Sequence, residues 1–129
     1  MIMGNIGVLY ENGGHGVTKN HATAASWYRK SAEAGFAGGQ CNLGECYYNG
    51  RGVTKNLRTA RSWFQKSADQ GYARALVKLG TMLVKGEGGA MDVTQGRSLW
   101  EQAAAKGQEK AQANLDKLTE TLKAAAFSL

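Results

Sequence analysis

Proline is absent from the chain, and with it the forced helix break that a missing N–H and a fixed φ would impose. Eighteen glycines are present instead. That combination suits many short helices, each closed by a residue that turns left-handed without a Cβ clash. Cysteine is nearly absent as well, with only Cys41 and Cys46 on one expected helix. Five residues at about 1.5 Å rise each set their Cα atoms farther apart than the ~7 Å a disulfide spans, so the two are not expected to pair. Neither has the Cys or His spacing of a zinc site. Cys46 reads as a small packing residue, and Cys41 as the more exposed of the two.

Long apolar runs are also missing. No stretch approaches the ~18 residues of a membrane span. The opening MIMGNIGVLY is apolar but has no basic leader and no small-residue cleavage site, so a signal peptide is not expected. The cytoplasm is the default compartment, with the periplasm or secretion open to a piece of a longer protein. Concentrated charge is lacking too: the net charge of +6 is spread one or two cations per helix. That balance favours acidic partners through long-range attraction, but without an arginine stripe or an aromatic platform nucleic acid is not expected among them. With 43% apolar residues in 129, the chain has enough for one continuous core.

What is present is a repeat. Val17 and Val53, Asn20 and Asn56, and Trp27 and Trp63 are each 36 apart, as are Gly35, Gly71 and Gly107 in succession. Leu43-Gly44 returns 36 residues later as Leu79-Gly80, whereas Ile6-Gly7 precedes it by 37. The extra residue is placed at Gly13-Gly14, since a glycine loop absorbs an insertion that a packed helix would not. A period of this length marks a solenoid, in which no unit buries its apolar face alone. The fold class is therefore all-α, an α-solenoid of antiparallel helix pairs with about seven helices.

Expected helices cover about 2–12, 21–34, 37–49, 57–70, 73–85, 93–106 and 109–126. Asn20, Asn56 and Asp92 stand at equivalent positions as N-caps, and Gly35, Gly71 and Gly107 end the second helices. In those helices Ala24, Trp27 and Ala32 recur as Ala60, Trp63 and Ala68, then as Gly96, Leu99 and Ala104, so the indoles are expected to staple units together in the core. In the first helices Gly44 and Gly80 permit a close crossing. Three units are expected in residues 1–107, at about 1–36, 37–72 and 73–108. Residues 109–129 form a C-terminal capping helix, in which Asp116 replaces the crossing glycine. The front of the first unit is uncovered, which predicts self-association, fraying or a preceding repeat.

The residues now spell L-G-x-x-Y-x-x-G-x-G-V, then an Asn or Asp, then A-x-x-W-F/Y-x-K-S-A-D/E-x-G. This pattern resembles the Sel1-like repeat family, a subclass of the tetratricopeptide-like helical repeats. The match is complete over Leu43 to Gly71, good over Ile6 to Gly35 and partial over Leu79 to Gly107. There Gly89 replaces Val53 and Leu99-Trp100 replaces Trp63-Phe64, so the third loop is expected to rearrange around Met91. The resemblance implies a right-handed superhelix and a role as an adaptor in protein complexes, mostly in bacteria and in eukaryotic membrane-associated degradation and signalling. A cysteine-rich branch that binds or slowly hydrolyses β-lactams is similar in fold. Its paired cysteines are not matched here, because Ala32 and Ala68 occupy one of the two places, and the activity is not carried over.

No catalytic constellation stands out. His15 and His21 read as solvated loop residues, since their counterparts are Arg51 and Leu57, and no nucleophile motif is present. No cofactor, metal or catalytic residue is expected. The position before the repeated leucine carries Asn5, Asn42, Lys78 and Asn114 in successive units, which packing does not explain. In related tetratricopeptide proteins it points into the groove and holds a bound peptide's backbone or terminal carboxylate. The expected site is therefore a peptide groove of Asn5, Asn42, Arg74, Lys78 and Asn114, lined by Glu45 and Tyr48, with the two cations clamping a carboxylate. The competing reading is a solvated inner face whose side chains bond neighbouring helices. The competing function is a bacterial cell-envelope accessory or enzyme that binds peptidoglycan, other glycans or β-lactams.

Overall fold

The structure, a computed structural model, describes residues 2–13 and 18–128, with the side chains of 2–5 and 128 outside that description. His15, Val17 and Gly14 of the first loop fall outside it too. Seven helices and no strand occur among the described residues: α1 Ile2–Asn12, α2 His21–Glu33, α3 Ala37–Asn49, α4 Leu57–Asp69, α5 Ala73–Lys85, α6 Val93–Ala105 and α7 Glu109–Ser128. Each packs mainly against its neighbours in sequence, which makes the α-solenoid. Among the described residues no helix is long and apolar enough to cross a membrane.

The helix ends follow their expected chemistry. Asn20, Asn56 and Asp92 each accept, through Oδ1, the backbone N–H of the residue three positions on, at 3.0 Å in all three units. Each such cap contributes about 1 kcal/mol. Gly35, Gly71 and Gly107 turn left-handed at φ +92°, +78° and +87°.

The crossing of the two helices in each unit has one recurring geometry. A Cβ on Gly7 would stand 2.5 Å from the Tyr28 ring, one on Gly44 2.8 Å from the Phe64 ring, and one on Gly80 2.6 Å from the Trp100 indole. The aromatic ring rests against glycine backbone, so the helix pair closes farther than any side chain would allow. The fully buried rings are thus Tyr28 and Phe64, with Trp100 nearly so, and not the tryptophans one residue earlier. Trp27 and Trp63 are half-buried, each with a lysine ammonium over its ring: Lys30 at 4.3 Å and Lys66 at 4.6 Å. The correction follows from helix geometry: positions 24, 28 and 32 are four apart and share one face, and position 27 sits on its shoulder. Leu99, at the same place in the third unit, is buried.

Two further expectations are corrected. Cys41 is fully buried rather than exposed, at 0% accessibility, beside Phe64 and Leu76 in the larger apolar cluster. The third loop keeps the form of the second: Gly50 and Gly52 have φ of +68° and +76°, and Gly86 and Gly88 both have +71°. A Cβ on Gly52 would meet the His21 carbonyl at 2.2 Å, and one on Gly88 the equivalent Leu57 carbonyl at 2.4 Å. The second glycine of each loop therefore rests on the start of the preceding unit's second helix, and Met91 is 63% exposed at the surface.

Candidate interaction groove

The first helices of successive units stand side by side, and the residues expected to face outward from them separate into two groups. In the first, the Arg74 guanidinium of α5 reaches back to α3. It donates to Asn42 Oδ1, lies 3.4 Å from Glu45 Oε1 and 3.5 Å from Cys41 Sγ, and stacks beside its own neighbour Tyr72. Burial works against its charge, but these partners outweigh it and hold the guanidinium above its ordinary pKa. Arg74, Asn42 and Glu45 are therefore tied together between helices, which is the geometry of the competing reading.

The second group opens into a groove of about 460 Å³ between α3, α5 and α7. Tyr48, Lys78 and Asn114 line it, and Phe64, Met82 and Trp100 form its floor. Trp100 Nε1 donates to the Val77 carbonyl at 3.2 Å, which fixes the indole against α5. Tyr48 donates to Glu87, at 2.8 and 3.0 Å from the two carboxylate oxygens. Burial and that carboxylate raise the phenol's pKa, so it remains a donor. Asn5 lies within α1, but its side chain falls outside the described residues.

Sequence reasoning missed three cations of the same groove: Lys85 of α5, and Lys110 and Lys117 of α7. The signal was available. Lys78 and Lys85 are seven apart, and Lys110, Asn114, Lys117 and Thr121 follow the three-and-four spacing of a single helix face. None of the four lysines has an ion pair among the described residues, and no carboxylate lines the groove. Beside it, Glu45 is engaged by Arg74 and Glu87 by Tyr48.

His21 opens α2 rather than lying in a loop, with Nδ1 buried and unpartnered. Burial pushes the Cys41 thiol up to about 11 and the Cys46 thiol to about 12, so both are protonated at neutral pH, and both are free. Among the described residues no three His, Cys, Asp or Glu side chains gather as metal ligands would.

The Sel1 repeat model matches residues 3–36, 37–72 and 73–108. A Sel1 repeat protein from Oxalobacter formigenes is 39% identical over 88% of this chain, with a TM-score of 0.82, and this chain spans 46% of it. A protective antigen of uropathogenic Escherichia coli strains that displays an SLR fold is 29% identical over 92% of this chain and a third (33%) of its own length, with a TM-score of 0.52. Cysteine-rich protein B of Helicobacter pylori is 27% identical over 74% of this chain and 72% of its own, with a TM-score of 0.69. No curated protein matches the chain. The chain spans about half or less of the first two relatives. Three matched units, aromatic rings seated on crossing glycines and a helical-repeat architecture shared with these proteins place the chain in the Sel1 repeat family.

Proposed function

We propose that the chain is a non-catalytic interaction module that holds a segment of another polypeptide in the groove between α3, α5 and α7. The observation that carries this reading is the groove itself: polar side chains with free capacity, Lys78 and Asn114 above all, surround a floor of Met82 and Trp100. Asn114 offers both a donor and an acceptor, which suits a main chain of any sequence. The helical-repeat family is generally a scaffold fold, which supports the same reading. Asn42, Glu45 and Arg74 brace the wall beside it, and Tyr48 closes one side.

A cell-envelope enzyme or glycan-binding accessory would call for a pair of acids facing a cleft. Glu45 and Glu87 are each engaged by another side chain and lie outside the groove lining, which supports the interaction reading over that one.

The test is a photo-reactive side chain placed at Thr121, which faces the groove, and separately at exposed Ser62 of α4. Irradiation in the source cell is expected to give one discrete adduct with another protein from position 121 and none from 62. Equal labelling from both positions, or adducts only with peptidoglycan fragments, contradicts the proposal.

A further inference from the structure

The four groove lysines are ordered, and their order specifies a ligand. α7 begins 36 residues after α5, at Glu109 against Ala73, so each α7 residue stands at the level of the α5 residue 36 before it. Lys110 is level with Arg74, and Lys117 with Thr81. Along the groove the cations therefore run Lys110, Lys78, Lys117, Lys85, alternating from one wall to the other. Steps of four, three and four residues separate them by about 6, 4.5 and 6 Å, so the column extends about 16 Å. Between the walls lie the half-buried Val84 and Leu118, backed by Met82 and Trp100.

A run of cations without counter-charge repels itself, and it persists at a cost that an acidic ligand would remove. Arg74, by contrast, pairs with the Glu45 carboxylate at 3.4 Å. Among the described residues the other four form no ion pair, and the acids nearest them in sequence, Glu87, Glu109, Asp116 and Glu120, lie outside the groove lining.

We infer that the groove takes a linear acidic segment of another polypeptide, with carboxylates at two or more levels of the lysine column and a large apolar side chain between them on the Val84–Leu118 floor. This rests on the proposed function and specifies its ligand. Lys78 and Lys85 are about 10.5 Å apart along α5, which an extended chain covers in about three residues. The recognised pattern is therefore two acids flanking one or two apolar residues. An aliphatic or aromatic anchor supplies burial, and the lysines supply orientation and encounter rate.

The probe is a fluorescein-labelled peptide, Glu-Glu-Leu-Phe-Glu-Glu, with a second in which every Glu is Gln. Anisotropy titrations use the full chain, the groove double variant Lys78→Gln/Lys117→Gln and an outer-face control, Lys55→Gln/Lys66→Gln, which removes the same net charge. The acidic peptide is expected to bind the full chain and the control alike, to lose about tenfold or more in affinity with the groove variant, and to weaken as salt rises. The Gln peptide is expected to bind at least tenfold more weakly than the acidic one. If both peptides bind equally and the Trp100 indole resonance shifts with each, the groove docks peptides but the acidic specificity is wrong. If neither peptide moves that resonance, the groove reading itself fails. Equal loss in both double variants, or capture of anionic phospholipid vesicles in place of peptide, overturns the inference as well.

Discussion

The Phe64 ring occupies the place that a side chain at Gly44 would need, with its Cδ1 and Cε1 both 2.8 Å from where that Cβ would stand. The same relationship joins Gly80 to Trp100 and Gly7 to Tyr28. It sets how closely the helices of each unit approach, and through Phe64 and Trp100 it also builds the floor of the groove.

Gly44→Ala forces either the ring or the helix to move, and is expected to destabilise the chain by about 2–3 kcal/mol in chemical denaturation, the upper part of the overpacking range. Gly35→Ala provides the contrast. Nothing lies within 4 Å of its Cβ position, and only the φ of +92° opposes the change, so a cost of about 1 kcal/mol is expected from backbone conformation alone. Equal losses at the two sites would contradict the seated-ring geometry.

Neighbouring aromatics should differ sharply. Phe64 is fully buried, and Phe64→Ala is expected to cost about 3–5 kcal/mol, whereas Trp63→Ala, at a half-buried site roofed by Lys66, should cost clearly less despite the larger ring. Urea midpoints of the two variants decide the matter.

Acid should loosen the junction of the first two units first. Burial pushes the Glu11 pKa up, but hydrogen bonds from Tyr28 and Arg51, with the charges of Arg51 and His21, outweigh it and leave it below its ordinary value of 4.5. A carboxylate depressed in the folded state contributes stability above its unfolded pKa, and that contribution disappears as pH falls through the folded value. Tyr28 and Arg51 belong to different units, so protonation of Glu11 releases α1 from both. Hydrogen exchange in α1 and α2 is expected to accelerate before exchange in α5 does as pH falls below the ordinary carboxylate range, and Glu11→Gln should remove most of that difference.

The two thiols should resist modification. With pKa values of about 11 for Cys41 and 12 for Cys46, raised by burial, the native chain at pH 8 holds almost no thiolate. Raised acid pKa values also mean that the stabilising effect of the neutral thiols is complete below their unfolded pKa and fades as pH climbs through the folded values. Ellman's reagent at pH 8 is expected to react slowly with the native chain and with two equivalents after unfolding in guanidinium.

Much of this was legible in the residues because repetition gives three independent views of each position. Asn20, Asn56 and Asp92 announce their caps, since a cap depends on a few neighbouring atoms. The interior was harder to place. Trp63 outranks Phe64 in size and regularity, but a rotation of one residue about the helix decides which ring meets Gly44, and apolar periodicity does not resolve that rotation when both positions are aromatic. The site divided for a related reason. Asn42 and Lys78 are equivalent in sequence, yet Arg74 donates to Asn42 and pairs with Glu45, which draws Asn42 into a bridge between helices. Lys85, Lys110 and Lys117 join Lys78 because α7 keeps the register of α5, a relation that becomes visible only when the two helices are set side by side.

The three tryptophans provide the most direct measurement, because Trp100 lines the groove and Trp27 and Trp63 do not. Trp100 lies on the groove floor, while Trp27 and Trp63 carry their lysines elsewhere on the second helices. Indole N–H resonances can be followed in a ¹⁵N-labelled chain as the partner captured by cross-linking is added. The groove account predicts that the Trp100 signal shifts while those of Trp27 and Trp63 stay in place. Movement of the Trp27 and Trp63 signals with Trp100 unchanged would put the partner outside the groove and contradict it.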